Sequence, residues 1–321
     1  MKVSTSLFFI GAFGSLALCA SAWAVLVEPE QWTQPVPVTI VNSATAEEWS
    51  PFLSFDGLTL YFARVRSDAF YYGRIFEAAR EEPSGPFTSV KEISGPLNDA
   101  PGHQLCPWVS PDGLRMYYHN ESGGIFSLKF SERASVDDLW PEGTSIAELN
   151  VLGNQLQAPK LTPDELTIFF NAYEMPGGKG GYDLWTASRP DKDSPFGKVR
   201  NLATINTAFS EGAPAVSFDG LTLLFQSDRN GDQQLFRATR ESTDEFFADV
   251  EHLSVFDTPG GISVHPFISS DGRELYFMSQ QGADRSSRDI YVSYIPEPAT
   301  LLLLSIGIII LRKCSEQRAK Y

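Results

Sequence analysis

The most regular polar side chains in this 321-residue chain are five aspartates, Asp56, Asp112, Asp164, Asp219 and Asp271, spaced 56, 52, 55 and 52 residues apart. A ring of carboxylates could hold a cation or move a proton. Each of these follows Ser or Thr by two residues, and all but Asp164 precede Gly. An aspartate so placed bonds its own backbone and sets a turn, so the expected role is structural. The run from Ser227 to Asp232 (SDRNGD) alternates oxygen side chains as calcium loops do. It lacks the glycine at position six and the bidentate glutamate at position twelve that complete such a loop, so a solvated hairpin is expected. MPGGKGGYD, residues 175–183, reads as a flexible turn. The four histidines, His103, His119, His252 and His265, have no HExxH or paired spacing, and no GxSxG is present. Cys106 stands alone between Cys19 and Cys314, which leaves no internal disulfide and no CxxC site. It is expected as a small buried hydrophobe. No metal, cofactor or catalytic residue is therefore expected. The remaining polar set is Glu48, Gln104, Gln157, Glu211 and His265, each just ahead of a short apolar run. These are the candidate binding residues, suited to sugar hydroxyls, to a cation, or simply to a hydrated channel mouth.

The elements that position them come from one repeated unit. SPFLSFDGLTLYF (50–62), CPWVSPDGLRMYY (106–118), APKLTPDELTIFF (158–170), APAVSFDGLTLLF (213–225) and HPFISSDGRELYF (265–277) align without gaps. A period near 50 residues means one supersecondary unit that buries its faces by stacking on its neighbours. Within each unit, Pro-x-apolar-Ser/Thr opens a strand, the Asp turn reverses it, and an apolar-aromatic run forms the second. A third carries Phe76, Phe126, Trp185, Phe236 or Tyr291. A fourth begins with an aromatic and has an aliphatic six residues on: Phe87/Ile93, Trp140/Ile146, Phe196/Leu202 and Phe247/Leu253. Asn98, Asn150, Asn206 and Asp257 then lead onward. The fifth unit runs out after its third strand, and its missing pattern stands at the other end as Trp32, Val38 and Asn42. The expected fold is all-β: a five-bladed β-propeller of four-stranded blades over residues 25–295, closed by an N-terminal strand. Lys160 falls on an innermost strand where the other units have Phe52, Trp108, Ala215 and Phe267, so it should find a carboxylate or carbonyl partner.

Composition narrows the partners. The net charge is −15, and the centre of the chain is more acidic still, because Lys2 and the basic tail (Arg312, Lys313, Arg318, Lys320) sit at the ends. Such a field repels phosphate backbones and excludes nucleic acid as a partner class.

The two ends carry addresses. Residues 1–24 join Lys2, an apolar run from Leu7 to Leu18 and the small-x-small ending Ala22-Trp23-Ala24, the pattern of a secretory signal peptide. Residues 296–321 begin with Pro296-Glu297-Pro298, continue through the apolar stretch 299–311, and close with Arg312-Lys313. That order closely resembles the PEP-CTERM sorting signal. The resemblance implies a C-terminal hydrophobic transmembrane helix, transient anchoring in the inner membrane, and an exosortase-type membrane protease as partner.

The repeat itself resembles the TolB-type, WD40-like β-propeller repeat over nearly all of residues 32–295, with Asp164-Glu165 in place of Asp-Gly as a departure in the third unit. The resemblance implies a propeller and no particular reaction. The expected function is an exported, non-catalytic cell-surface or matrix protein whose propeller binds polysaccharide or another protein. The alternative is an exported glycoside hydrolase of five-bladed type, which would need a pair of carboxylates at the channel. The innermost strands PFLS, PWVS, PKLT, PAVS and PFIS contain none.

Overall fold

The computed structural model describes residues 32–66, 72–153, 155–258, 260–280 and 288–295. The signal-peptide reading and the sorting-signal reading at Pro296, Glu297 and Pro298 lie outside the described residues. Five antiparallel four-stranded sheets follow one another around a ring. Strand β1 (Val36–Pro37) comes first in the chain but belongs to the last blade. Blade one is β2 (Ala46–Leu53), β3 (Thr59–Arg66), β4 (Tyr72–Ala79) and β5 (Ser89–Glu92). Blade two is β6 (His103–Val109), β7 (Arg115–Ser122), β8 (Ile125–Glu132) and β9 (Thr144–Ser145). Blade three is β10 (Leu156–Leu161), β11 (Thr167–Tyr173), β12 (Tyr182–Ser188) and β13 (Gly197–Asn201). Blade four is β14 (Glu211–Val216), β15 (Thr222–Ser227), β16 (Gln234–Thr239) and β17 (Ala248–His252). Blade five is β18 (Ile262–Ile268), β19 (Glu274–Gln280) and β20 (Asp289–Tyr294), with β1 on its outer edge. The first strands β2, β6, β10, β14 and β18 touch in that order, and β18 returns to β2. This is a closed five-bladed β-propeller.

The turn aspartates are structural in every blade. Ser54, Ser110, Thr162, Ser217 and Ser269 each donate to the Oδ1 of the aspartate two residues on, at 2.5–2.6 Å. The same oxygen accepts a backbone N–H two residues further, at 3.0–3.1 Å. The next turn position needs a left-handed backbone, which glycine adopts freely at Gly57, Gly113, Gly220 and Gly272. Blade three places Glu165 there at φ 61°. A physical return offsets the strain: the fully buried Glu165 carboxylate meets Lys192 at 2.6 Å and reaches into blade two, to Arg115 at 3.4 Å and the Tyr117 hydroxyl at 3.2 Å. The departure from Asp-Gly is thus a bridge between blades.

Two further devices recur. Asn98 accepts the Ile75 N–H at 3.0 Å and donates to the Ile75 and Ile93 carbonyls, clamping the third strand of blade one. Asn150 and Asn206 do the same to Leu128 and Leu184. Asn42 applies the identical clamp to Ile290, 248 residues away, at 2.8 and 3.0 Å. The N-terminal segment is therefore chemically the end of blade five. The second device is an arginine after the third strand. Arg80, Arg133, Arg189 and Arg240 donate Nε to the carbonyl of Gly57, Gly113, Glu165 and Gly220. Each guanidinium also covers the aromatic seven residues on, Phe87, Trp140, Phe196 or Phe247, at 4.1–4.9 Å.

The Gly-rich run of blade three is fastened. Asp183 accepts the Lys179 and Gly180 N–H groups, while Lys179 Nζ reaches the Ala203 carbonyl at 2.7 Å.

Candidate functional site

Each innermost strand carries a bulge where two of its residues face one on the next strand, between Trp49/Phe52, Leu105/Trp108, Gln157/Lys160, Gly212/Ala215 and Val264/Phe267. The first bulged residue is left-handed in all five blades: Ser50, Cys106, Ala158, Ala213 and His265, at φ 45–57°. None is glycine, so each accepts a local strain of about 1 kcal/mol. Ser50 Oγ lies 2.9 Å from Cys106 Sγ and 3.1 Å from His265 Nδ1, while Cys106, Ala158 and Ala213 pack as one cluster. These five residues form a ring across the channel. Burial holds His265 and His119 near pKa 3, so both imidazoles are neutral at physiological pH. Burial likewise pushes the Cys106 thiol up, which makes it a poor nucleophile.

Below that ring the channel is filled. Phe52 packs on Phe267 at 4.7 Å and on Trp108 at 6.0 Å, and Phe55 meets Phe218 at 5.8 Å. Lys160 lies in this aromatic layer, only 5% exposed, with Nζ on the Pro107 carbonyl at 2.6 Å. Its expected carbonyl partner is present. Burial lowers its pKa from 10.5 to about 8. Between those values the unfolded chain keeps the proton and the folded one sheds it, so this lysine costs stability at neutral pH and less as pH rises from about 8 to 10.5. Lys160→Met should raise stability at pH 7 by about 1–3 kcal/mol, and the difference from the parent should shrink above pH 8. Urea titrations of both proteins at pH 7 and pH 9.5 measure it.

Above the ring, a cavity of about 270 Å³ opens between blades three, four and five. Trp49, Gln157, Asn171, Tyr182, Gln226 and His265 form much of its wall. A larger groove of about 500 Å³ lies between blades one and two. Its Asp56 and Asp112 are held by their turns, and no unsatisfied buried atom among the described residues belongs to it. The channel mouth is the stronger site.

The sequence-derived residues divide there. Gln157 donates to the Tyr182 hydroxyl at 2.9 Å on the cavity wall, and His265 forms its floor. The other three are fully buried and serve their own blades. Glu48 takes Arg64 at 2.8 Å and the Ser43 N–H at 3.0 Å; burial outweighs both and raises its pKa to about 7. Glu211 touches the cavity but is spent on Arg229, Thr207 and Ser227. Blades one and four share one design, because Arg64 and Arg229 also lie over Phe76 and Phe236. Gln104 binds the carbonyls of Ala100, Pro101 and Gly102 and the Asn120 amide. Glu48, Gln104 and Glu211 stand two residues ahead of the left-handed position, Gln157 one ahead, and His265 on it, so the five are not structural equivalents.

Sequence reasoning missed Trp49, Asn171, Tyr182, Gln226 and Arg288 on the wall. A signal existed for two of them. Asn171 and Gln226 directly follow Phe170 and Phe225, placing a long polar side chain inside an otherwise apolar second strand. The run from Ser227 to Asp232 forms a hairpin, as expected, in which Asp228 accepts the Ser210 N–H at 2.8 Å.

The molecule so defined is a five-bladed propeller with a channel packed shut at one end and a polar, aromatic-walled cavity at the other. No family model and no curated protein sequence matches the chain. Among solved structures it is similar to a thermostable family-43 glycoside hydrolase, at 12% identity over 79% of this chain and 90% of that one, with a TM-score of 0.55. It is also similar to the alpha-L-arabinofuranosidase of Podospora anserina solved with cellotriose, at 14% identity over 84% and 98%, TM-score 0.51. A putative TolB from Agrobacterium tumefaciens aligns at 16% identity over 74% and 72%, TM-score 0.46. Identities this low show the shared fold alone.

Proposed function

We propose that this chain is an exported, non-catalytic propeller of the cell surface or extracellular matrix that binds polysaccharide at the channel mouth. One observation carries the reading: the cavity joins aromatic rings (Trp49, Tyr182) to side-chain amides (Gln157, Asn171, Gln226), the combination that stacks on and hydrogen-bonds to sugars. Glycoside hydrolysis ordinarily uses two carboxylates flanking the bond. The wall offers Glu211 alone among the described residues, already bound by Arg229. The protein should bind members of a bacterial exopolysaccharide array without releasing new reducing ends. Cleavage would instead favour an exported polysaccharide-processing enzyme.

The address rests on the two termini. Residues 1–24 direct export, and Pro296-Glu297-Pro298 with the following apolar stretch hands the chain to an exosortase-type protease of the inner membrane. Glu297→Ala should leave folding intact and make the longer, membrane-held form accumulate. Fractionation with mass spectrometry of the mature C-terminus reads this; residues 301–311 intact in secreted protein would overturn it.

A further inference from the structure

Asn171 and Gln226 hold the same position in blades three and four. The Asn171 carbonyl oxygen accepts the Ala213 N–H at 3.1 Å, and the Gln226 carbonyl oxygen accepts the His265 N–H at 3.1 Å. A backbone N–H can only donate, so both amides are oriented without ambiguity and both NH₂ groups point away, into the cavity. Asn171 is 4% exposed, yet neither NH₂ has a hydrogen-bond partner among the described residues and neither is sealed off. The two amides flank Gly212: a Cβ there would lie 3.5 Å from Gln226 Nε2 and 3.7 Å from Asn171 Cγ. Two acceptors on the wall are already occupied. Glu211 is held by Arg229, and the Tyr182 hydroxyl accepts from Gln157 while donating to Gln155.

The local charge agrees. Lys160 lies one layer below His265, buried against a carbonyl with no ion-pair partner among the described residues. Arg288 stands on the wall over Trp49 at 4.6 Å, with no partner for Nε among the described residues and a 3.3 Å contact to Glu47. Burial first, and then both cations, lower the pKa of His265, so two positive charges stand close to the floor of the cavity in a protein of net charge −15. A sugar hydroxyl asks for a donor and an acceptor. A carboxylate asks only for donors, and charge strengthens each bond.

We propose that the ligand presents a carboxylate to this cavity, and that the polysaccharide is therefore one built with uronic acids. Asn171 Nδ2 and Gln226 Nε2 would donate to the carboxylate oxygens above Gly212, with Lys160 and Arg288 supplying the positive potential. The inference rests on the carbohydrate reading above, and the test separates the two.

Calorimetry of the purified full chain would compare oligogalacturonate, its methyl ester and a neutral galactose oligomer. The acid should bind at least tenfold more tightly than either. Asn171→Asp and Gln226→Glu keep the oxygen that Ala213 and His265 need and replace the donor with an acceptor. Each should weaken the acid at least tenfold and the methyl ester less than threefold. Where a buried carboxylate unfolds either variant, Gly212→Ala serves, since its Cβ clashes with nothing and narrows the space between the amides; it too should weaken the acid tenfold. Equal binding of acid and neutral oligomers overturns the inference and leaves the carbohydrate reading standing. Binding of no glycan overturns both. An acidic peptide bound as tightly as the uronate overturns the sugar assignment.

Discussion

A chain lacking residues 32–42 should have no cooperative melting transition at temperatures where the parent is native. The segment is short, and β1 pairs only Val36 with Val292 and Pro37 with Tyr291. Its weight lies elsewhere. Thr33 and Val38 N–H groups bond the Tyr294 and Ile290 carbonyls at 2.9 Å, Asn42 clamps Ile290 from both sides, and Trp32 packs on Phe256. Removing them unpairs the whole outer edge of β20 and uncovers the core between blades four and five. An open strand edge beside exposed aromatics is also an aggregation template. Blade five meets blade one through β18 against β2 and through the Arg80–Glu274 pair at 2.8 Å, so loosening it opens the ring. Circular dichroism melts of parent and truncation decide it; a truncation melting within a few degrees of the parent would mean that β1 is an ornament.

Asn98→Ala should be the most costly single substitution outside the aromatic core. It would orphan the Ile75 N–H and the Ile93 carbonyl, and leave the Ile75 carbonyl with the Ile93 N–H alone. Buried groups left unsatisfied cost about 1–3 kcal/mol each, so a loss of about 2–4 kcal/mol is expected after partial relaxation. Blade four supplies the control. There the position is Asp257, which pairs instead with His252 at 2.9 Å near the surface. Asp257→Ala should cost less than about 1 kcal/mol. Chemical denaturation of the two variants side by side would show whether the clamp or merely the position matters. Similar losses would contradict the clamp.

Much of the ring was legible because it is repeated. Each turn aspartate marks a first hairpin, and Asn42 stood apart from its blade as a visible copy of Asn98. The arginine seven residues before Phe87, Trp140, Phe196 and Phe247 was equally regular and passed unread, since a guanidinium over an aromatic leaves no periodic apolar trace. The bulges were hidden for a physical reason. A residue before proline is pushed towards extended backbone, and Ser50, Cys106, Ala158, Ala213 and His265 all precede one, yet all are left-handed. That single turn of the backbone decides which side chains reach the channel. Without it, Glu48 and Gln104 look like mouth residues, and the amides of Asn171 and Gln226, placed by the neighbouring strand, are not seen at all.

The central claim is that sugar binds at the mouth of the channel above Gly212. The most direct measurement is a titration of isotope-labelled protein with oligogalacturonate, followed by NMR of backbone and side-chain amides. The account predicts that the Asn171 and Gln226 NH₂ signals move first and saturate together with the backbone signals of Gly212, Ala213 and His265. Shifts confined to the groove around Asp56 and Asp112, with those side-chain amides unmoved at saturation, would contradict it.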